Sequence, residues 1–309
     1  MKTSLIAGAA IALNLAASSC LANPSHAEDA QDLRADLAAL PGVQKVALSY
    51  VEPVPLDSGK LELKVRMQPH ASPQQARKVV ATTYAAFRGT HRSEEGDLDV
   101  AIGDDVIHLR SFEPEAGTDA VGSALDDALT VLPTGKVTAR INTQDVSGEP
   151  HVHTEFQVTT DGSRPSLEGA VQAFGRFAEI PRAAWRFGGA DDTGWLIGNS
   201  SAMPDAAQLR VFDELADGLP DDWSIRMYDG DFVVTDVAAD ATPDRVARVT
   251  ARQLHLLAAE GLFFHVESGP DMIAMLMDGE CNFDTGPIGA RLERDLKDRC
   301  TEISHPEDY

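Results

Sequence analysis

Positive charge, cysteine and long apolar runs are all scarce in this chain. Twenty-six Lys and Arg face 49 Asp and Glu, a formal net charge of −23. So acidic a surface is repelled by nucleic-acid phosphate and by anionic lipid, which excludes nucleic-acid binding. The charge names no partner, since solubility of an exported domain is reason enough for it. Lysine is the rarer cation, 7 against 19 Arg, and with the many Ala and Asp it points to a GC-rich bacterial genome. After the first twenty residues no apolar run is long enough to cross a membrane. Reaction motifs are missing too. There is no Gly-x-Ser-x-Gly elbow, no Ser-x-x-Lys, and no phosphate loop, because Gly188-Gly189 has no lysine after it.

What the chain does have begins with an export signal. Met1-Lys2 is a minimal positive start, 5–17 is apolar apart from Asn14, and small residues follow, the pattern of a signal peptide over 1–20. Two processing sites compete. Ala17-Ser18-Ser19-Cys20 fits the relaxed form of a bacterial lipobox, in which the Cys20 thiol takes a diacylglycerol; Ala17 stands where Leu or Val is usual. The alternative is ordinary cleavage after Ser25-His26-Ala27. The first leaves the protein on the outer face of the cell membrane, held by a lipid anchor alone with 21–30 as spacer. The second leaves it secreted. Losing residues 1–19 removes one lysine and no acid, so the mature charge is near −24 (−23 − 1).

Lipidation of Cys20 leaves Cys281 and Cys300, an even pair in an exported chain. A bond between them closes a loop of about 20 residues and contributes on the order of 3 kcal/mol by chain entropy. It ties down a C-terminal amphipathic helix with Ile288, Leu292 and Leu296 at helical spacing.

The remainder repeats. Leu40-Pro41, Leu132-Pro133 and Leu219-Pro220 each close a helix, and Pro73, Pro165 and Pro243 each open another. Leu33, Leu125 and Phe212 share a helix face with those leucines. Strand pairs follow each helix. Leu61, Leu63, Val65 and Met67 alternate with Glu62, Lys64, Arg66 and Gln68, as half-buried strands do. Asp229-Gly230 is a hairpin signal, because both central residues of a type I′ turn need positive φ. This order predicts an α+β fold of three tandem αββαββ modules, 31–115, 116–203 and 204–281, with a C-terminal helix and tail over 282–309. Each module reads as a two-layer sandwich of helices on a mainly antiparallel sheet, a permuted ferredoxin-like unit. That likeness is of fold and carries no function.

The best chemical candidate is His151-x-His153-x-Glu155. Alternation puts the three on one side of a strand, and two imidazoles with a carboxylate suit Zn²⁺. A metal-assisted envelope hydrolase would follow. The plainer reading is the polar face of an amphipathic strand, with no further ligand evident. His255 reads as a packed or boundary histidine and His265 as one on the open sheet face. The acidic pairs Asp104-Asp105, Asp191-Asp192 and Asp221-Asp222 lack EF-hand spacing and read as turns. Trp185 and Trp195 read as core against the helix bearing Phe174 and Phe177. The expectation is an exported, lipid-anchored envelope protein without catalytic residues or cofactor. It binds or scaffolds an envelope protein or small ligand through open sheet faces and inter-module grooves.

Overall fold

The computed structural model describes residues 25–54, 56–113, 116–144, 149–257 and 263–305. Cys20 and the lipobox lie outside them. The first four helices each precede a strand pair: α1 (Ala27–Ala38) with β1 (Val43–Val51) and β2 (Lys60–Met67), and α2 (Pro73–Arg88) with β3 (Glu95–Ile102) and β4 (Asp105–Ser111). Next come α3 (Thr118–Val131) with β5 (Val137–Gln144) and β6 (Pro150–Thr159), and α4 (Arg164–Phe174) with β7 (Ala183–Gly188) and β8 (Leu196–Asn199). Two more units are α5 (Ala206–Ala216) with β9 (Ser224–Tyr228) and β10 (Phe232–Asp236), and α6 (Pro243–Leu256) with β11 (Phe263–Ser268) and β12 (Asp271–Met277). β13 (Glu280–Phe283), α7 (Pro287–Leu296) and β14 (Glu302–Ser304) close the fold.

The fourteen strands of the described residues form one sheet, and their order across it is their order in the chain. The hairpin within each unit is antiparallel, and each helix from α2 to α6 returns the chain to the adjacent slot as a parallel strand. With β12–β13 antiparallel and β13–β14 parallel, the mixed sheet has seven antiparallel pairs and six parallel ones. Crossovers between neighbouring parallel strands are right-handed as a rule, which puts successive helices on one face. The result is two layers over a single core, in which Leu37 of α1, Phe156 of β6 and Leu292 of α7 belong to one contiguous cluster.

The strands fall where alternation predicts them, but separate four-stranded sheets do not form. A permuted ferredoxin-like unit would set its last strand between its second and third. Here the short connections carry each crossover only to the next slot. The outer edge is thereby left free for the following hairpin, so the sheet grows instead of closing. The structural repeat is the αββ unit, half the expected module. The Leu-Pro pairs mark every second helix because α2, α4 and α6 carry their proline at the start instead.

Two of the expected boundaries fall inside elements. The 21–30 spacer is already helical from Ala27, and Ala30 is fully buried. The 204–281 boundary falls inside β13. β13 and β14 were not anticipated, although Asp278-Gly279 carried the signal: its φ values of 50° and 88° repeat the 53° and 88° of Asp229-Gly230 in the β9–β10 hairpin. Cys281 in β13 and Cys300 beside β14 are disulfide-bonded, Cα to Cα 5.7 Å.

Candidate binding groove

Helices α4, α5 and α6 are each set by their first residues. Ser163 caps α4 by accepting the Ser166 N–H at 3.4 Å, with Pro165 at the start, where its missing N–H costs nothing. Asp205 caps α5: its carboxylate accepts the Ala207 and Gln208 N–H groups at 2.8 Å each, while the Gln208 amide oxygen accepts the Asp205 N–H at 3.0 Å. α6 opens on Thr242-Pro243. Each helix turns an apolar stripe to the sheet, burying Leu167 and Phe174, Phe212 and Leu215, and Val246 and Leu254.

Along the helical layer α1 packs on α2, α2 on α3, α5 on α6 and α6 on α7. α4 and α5 are joined at one end by the ion pair of Arg164 with Asp213, 3.2 Å. Beyond it a cavity of about 950 Å³ opens between them and extends to α6. Leu167, Val171, Leu209 and Phe212 make its floor, and Leu256 of α6 lines it while staying 37 % exposed. The polar lining is mainly acidic: Glu168, Asp213, Glu214 and Asp217. Its two arginines are turned to the protein. Arg164 Nε holds Glu168 at 2.8 Å. Arg252 Nη2 donates to the Leu215 carbonyl at 3.2 Å, and its Nε is buried without a partner.

The opposite face of the sheet is polar and largely self-neutralised. Lys60 Nζ lies 2.6 Å from Asp97 and 3.6 Å from Glu95; Arg110 reaches the same two carboxylates at 3.3 and 3.0 Å. His108 Nδ1 meets Asp99 at 2.5 Å, and this hydrogen bond holds the Asp99 carboxyl below the usual carboxylate range. Further along, Arg186 pairs with the Asp192 carboxylate, and Arg226 donates to the Asp192 carbonyl at 3.3 Å while pairing with Glu267. Phe232 and Phe263 stack face to face at 4.4 Å.

The histidine–carboxylate triplet sits on that face as the alternation required, but it does not converge. His151 is exposed and His153 half-buried. Glu155 lies 3.5 Å from its cross-strand neighbour Arg140. Among the described residues no group of three or more His, Cys, Asp or Glu is placed to hold a metal ion. His255 is exposed in the last turn of α6, beside the buried Leu254. His265 stands between Val234 and Met275, and its Nε2 is buried without a partner. Burial, and then the Arg226 charge, push its pKa below the ordinary value. Trp185 is 1 % exposed, packed on Phe156 at 4.6 Å and on Phe187 at 5.9 Å, while Trp195 meets Phe212 edge-on at 5.9 Å. Of the acidic turn residues, Asp105 accepts the Val137 N–H at 2.9 Å, tying the β3–β4 turn to β5.

Sequence reasoning missed these residues. A signal was present at Leu209. Eleven residues before the Leu-Pro proline the first two copies carry Ala30 and Gly122, and the third carries Leu209. That added apolar side chain lies three residues before the buried Phe212 and widens the stripe toward the gap beside α4. Comparison of the chain with protein-family models, with curated proteins and with solved structures gave no match.

Proposed function

We propose that this is an exported binding or scaffold protein of the bacterial cell envelope. On this reading a diacylglycerol on Cys20 anchors it to the outer face of the cell membrane, and it engages an envelope protein or small ligand through the groove between α4, α5 and α6. The observation that carries the binding reading is the groove itself: an apolar floor, open to solvent, where consecutive helices of the layer part. The groove lies between the αββ unit that ends in β8 and the two that begin with α5 and α6. Cleavage at Cys20 is favoured over cleavage after Ala27 by what residues 25 and 26 do. Ser25 Oγ donates to Glu52 at 3.0 Å and the His26 N–H donates to the Tyr50 hydroxyl at 2.9 Å. A chain starting at Glu28 would lose both bonds and the first residue of α1.

Intact mass of membrane and secreted fractions, native and Cys20→Ala, tests the anchor. The expected result is a diacylglycerol-modified Cys20 N-terminus in the membrane fraction, lost in the variant. A mature chain starting near Glu28 in the medium rejects it. The groove is tested with the neutral apolar dye Nile red. Its fluorescence enhancement should be lost in Val171→Trp, which fills the floor; an unchanged enhancement rejects the groove as a binding site.

A further inference from the structure

We infer that the occupant of this groove is a cationic amphipathic helix of a partner protein, an inference that rests on the groove being the binding site. Three features of the groove point to one chemistry. The first is shape. A volume of 950 Å³ equals roughly two turns of α-helix, taking a cylinder about 10 Å across that rises 1.5 Å per residue. The gap also lies within a layer whose other members are helices, so its walls are helix surfaces, ridged to receive another helix. The second is the floor. Leu167 and Phe212 are 1 % exposed, and Val171, Leu209 and Leu256 rise beside them to meet apolar anchors at i, i+3, i+4 and i+7 of an incoming helix. The third is charge. Four carboxylates and two guanidiniums line the groove. Arg164 is committed to Glu168 and Asp213, and Arg252 is turned to the Leu215 carbonyl. Among the described residues Glu214 and Asp217 make no ion pair. Lys and Arg flanking the apolar stripe of a helix seated on the floor would meet these two carboxylates, and the −23 charge of the whole chain steers such a helix inward and turns an acidic one away.

The test uses the full mature protein and two designed helices of about 18 residues, long enough to hold helical structure. They share one Leu stripe; the first carries Lys on its polar face and the second Glu. Binding is read by isothermal titration at two salt concentrations. The Leu/Lys helix should bind with one-to-one stoichiometry, and the Leu/Glu helix about a hundredfold more weakly or not at all. Glu214→Gln with Asp217→Asn should weaken the Leu/Lys helix about tenfold and flatten its salt dependence. Leu209→Ser with Leu256→Ser should also weaken it about tenfold and leave the salt dependence in place. Glu179→Gln with Asp298→Asn, two exposed acids outside the groove, should change affinity less than twofold.

Three outcomes overturn the inference. Equal weakening by the remote pair means attraction to an acidic surface and no site. Equal binding of both helices means an apolar groove that does not select charge; the groove would then survive as a binding site and the cationic helix would not. Loss of Nile red enhancement in Val171→Trp, with neither helix binding, likewise leaves the groove and removes the helix as its occupant. Failure of the dye test as well removes both.

Discussion

At the scale of single residues, two positions show how little slack the fold leaves. Gly289 lies in the first turn of α7, packed against the carboxylate and carbonyl of Asp284. A Cβ at 289 would overlap the Asp284 carboxylate and carbonyl. Gly289→Ala is therefore expected to cost about 1–3 kcal/mol, the usual range for overpacking, read as a lowered urea midpoint at unchanged m-value. An unchanged midpoint would show that Asp284 has room to move. His265 makes a prediction in pH. Its folded pKa lies below the ordinary 6.5 because burial and Arg226 disfavour the imidazolium. As pH falls through 6.5 the unfolded chain takes the proton first, so stability declines from there toward the lower folded value. His265→Gln should flatten that stretch of the stability–pH curve, measured by urea unfolding between pH 7 and 5. A parallel curve would place the proton uptake elsewhere. Neither position was legible beforehand. Gly289 and Asp284 are close in sequence, but their overlap depends on how α7 meets the sheet. His265 could be placed on the open face from alternation with Phe264 and Val266, yet Arg226 reaches it from β9, 39 positions earlier (265 − 226).

Elements were the most legible scale. Periodicity placed twelve strands and seven helices, because alternating and helical burial leave different local marks in a chain that covers only one face of its sheet. What escaped were β13 and β14. They are four and three residues long, too short for a pattern, and they exist because the sheet offers them an edge. The disulfide fixes that edge. The Cys281–Cys300 bond ties the end of the segment bearing α7, two residues before β14, back to β13, and by loop entropy is worth on the order of 3 kcal/mol. Its reduction should release β14 and α7 before the rest. Hydrogen exchange under dithiothreitol should show faster exchange over 280–304 and little change in β5–β8. Uniform acceleration across the chain would mean instead that the C-terminal unit anchors the whole sheet.

For the whole molecule, sequential strand order means that each unit contacts its neighbours and little else, so stability resembles a sum of local terms and junctions. Inner strands have a partner on both sides. Among the described residues β1 has one, so its nine-residue outer side is a sheet edge. Native-state hydrogen exchange is expected to be slowest in β5–β8 and fastest at the outer amides of β1, with the stapled C-terminal edge between them. Protection of β1 equal to that of β6 would reveal a cover on that edge, such as a second chain. The groove also belongs to this scale. Leu209 could be read as one apolar residue too many in α5, but that it faces Val171 and Leu256 across an opening depends on three helices 37 to 42 residues apart at their starts, Arg164, Ala206 and Pro243.

The sequence by itself determined seven helices, twelve of the strands and their apolar faces, because each rests on contacts within a few residues; Cys281 and Cys300 were the expected pair once Cys20 is set aside for lipid. Only the tertiary structure decided that six hairpins share one sheet, that the repeat is half as long as its proline marks suggest, and that α4 and α5 part to leave a groove. These outcomes turn on which slot each crossover enters. Side-chain period cannot record that choice, because adjacent and skipped slots bury the same residues of the strand.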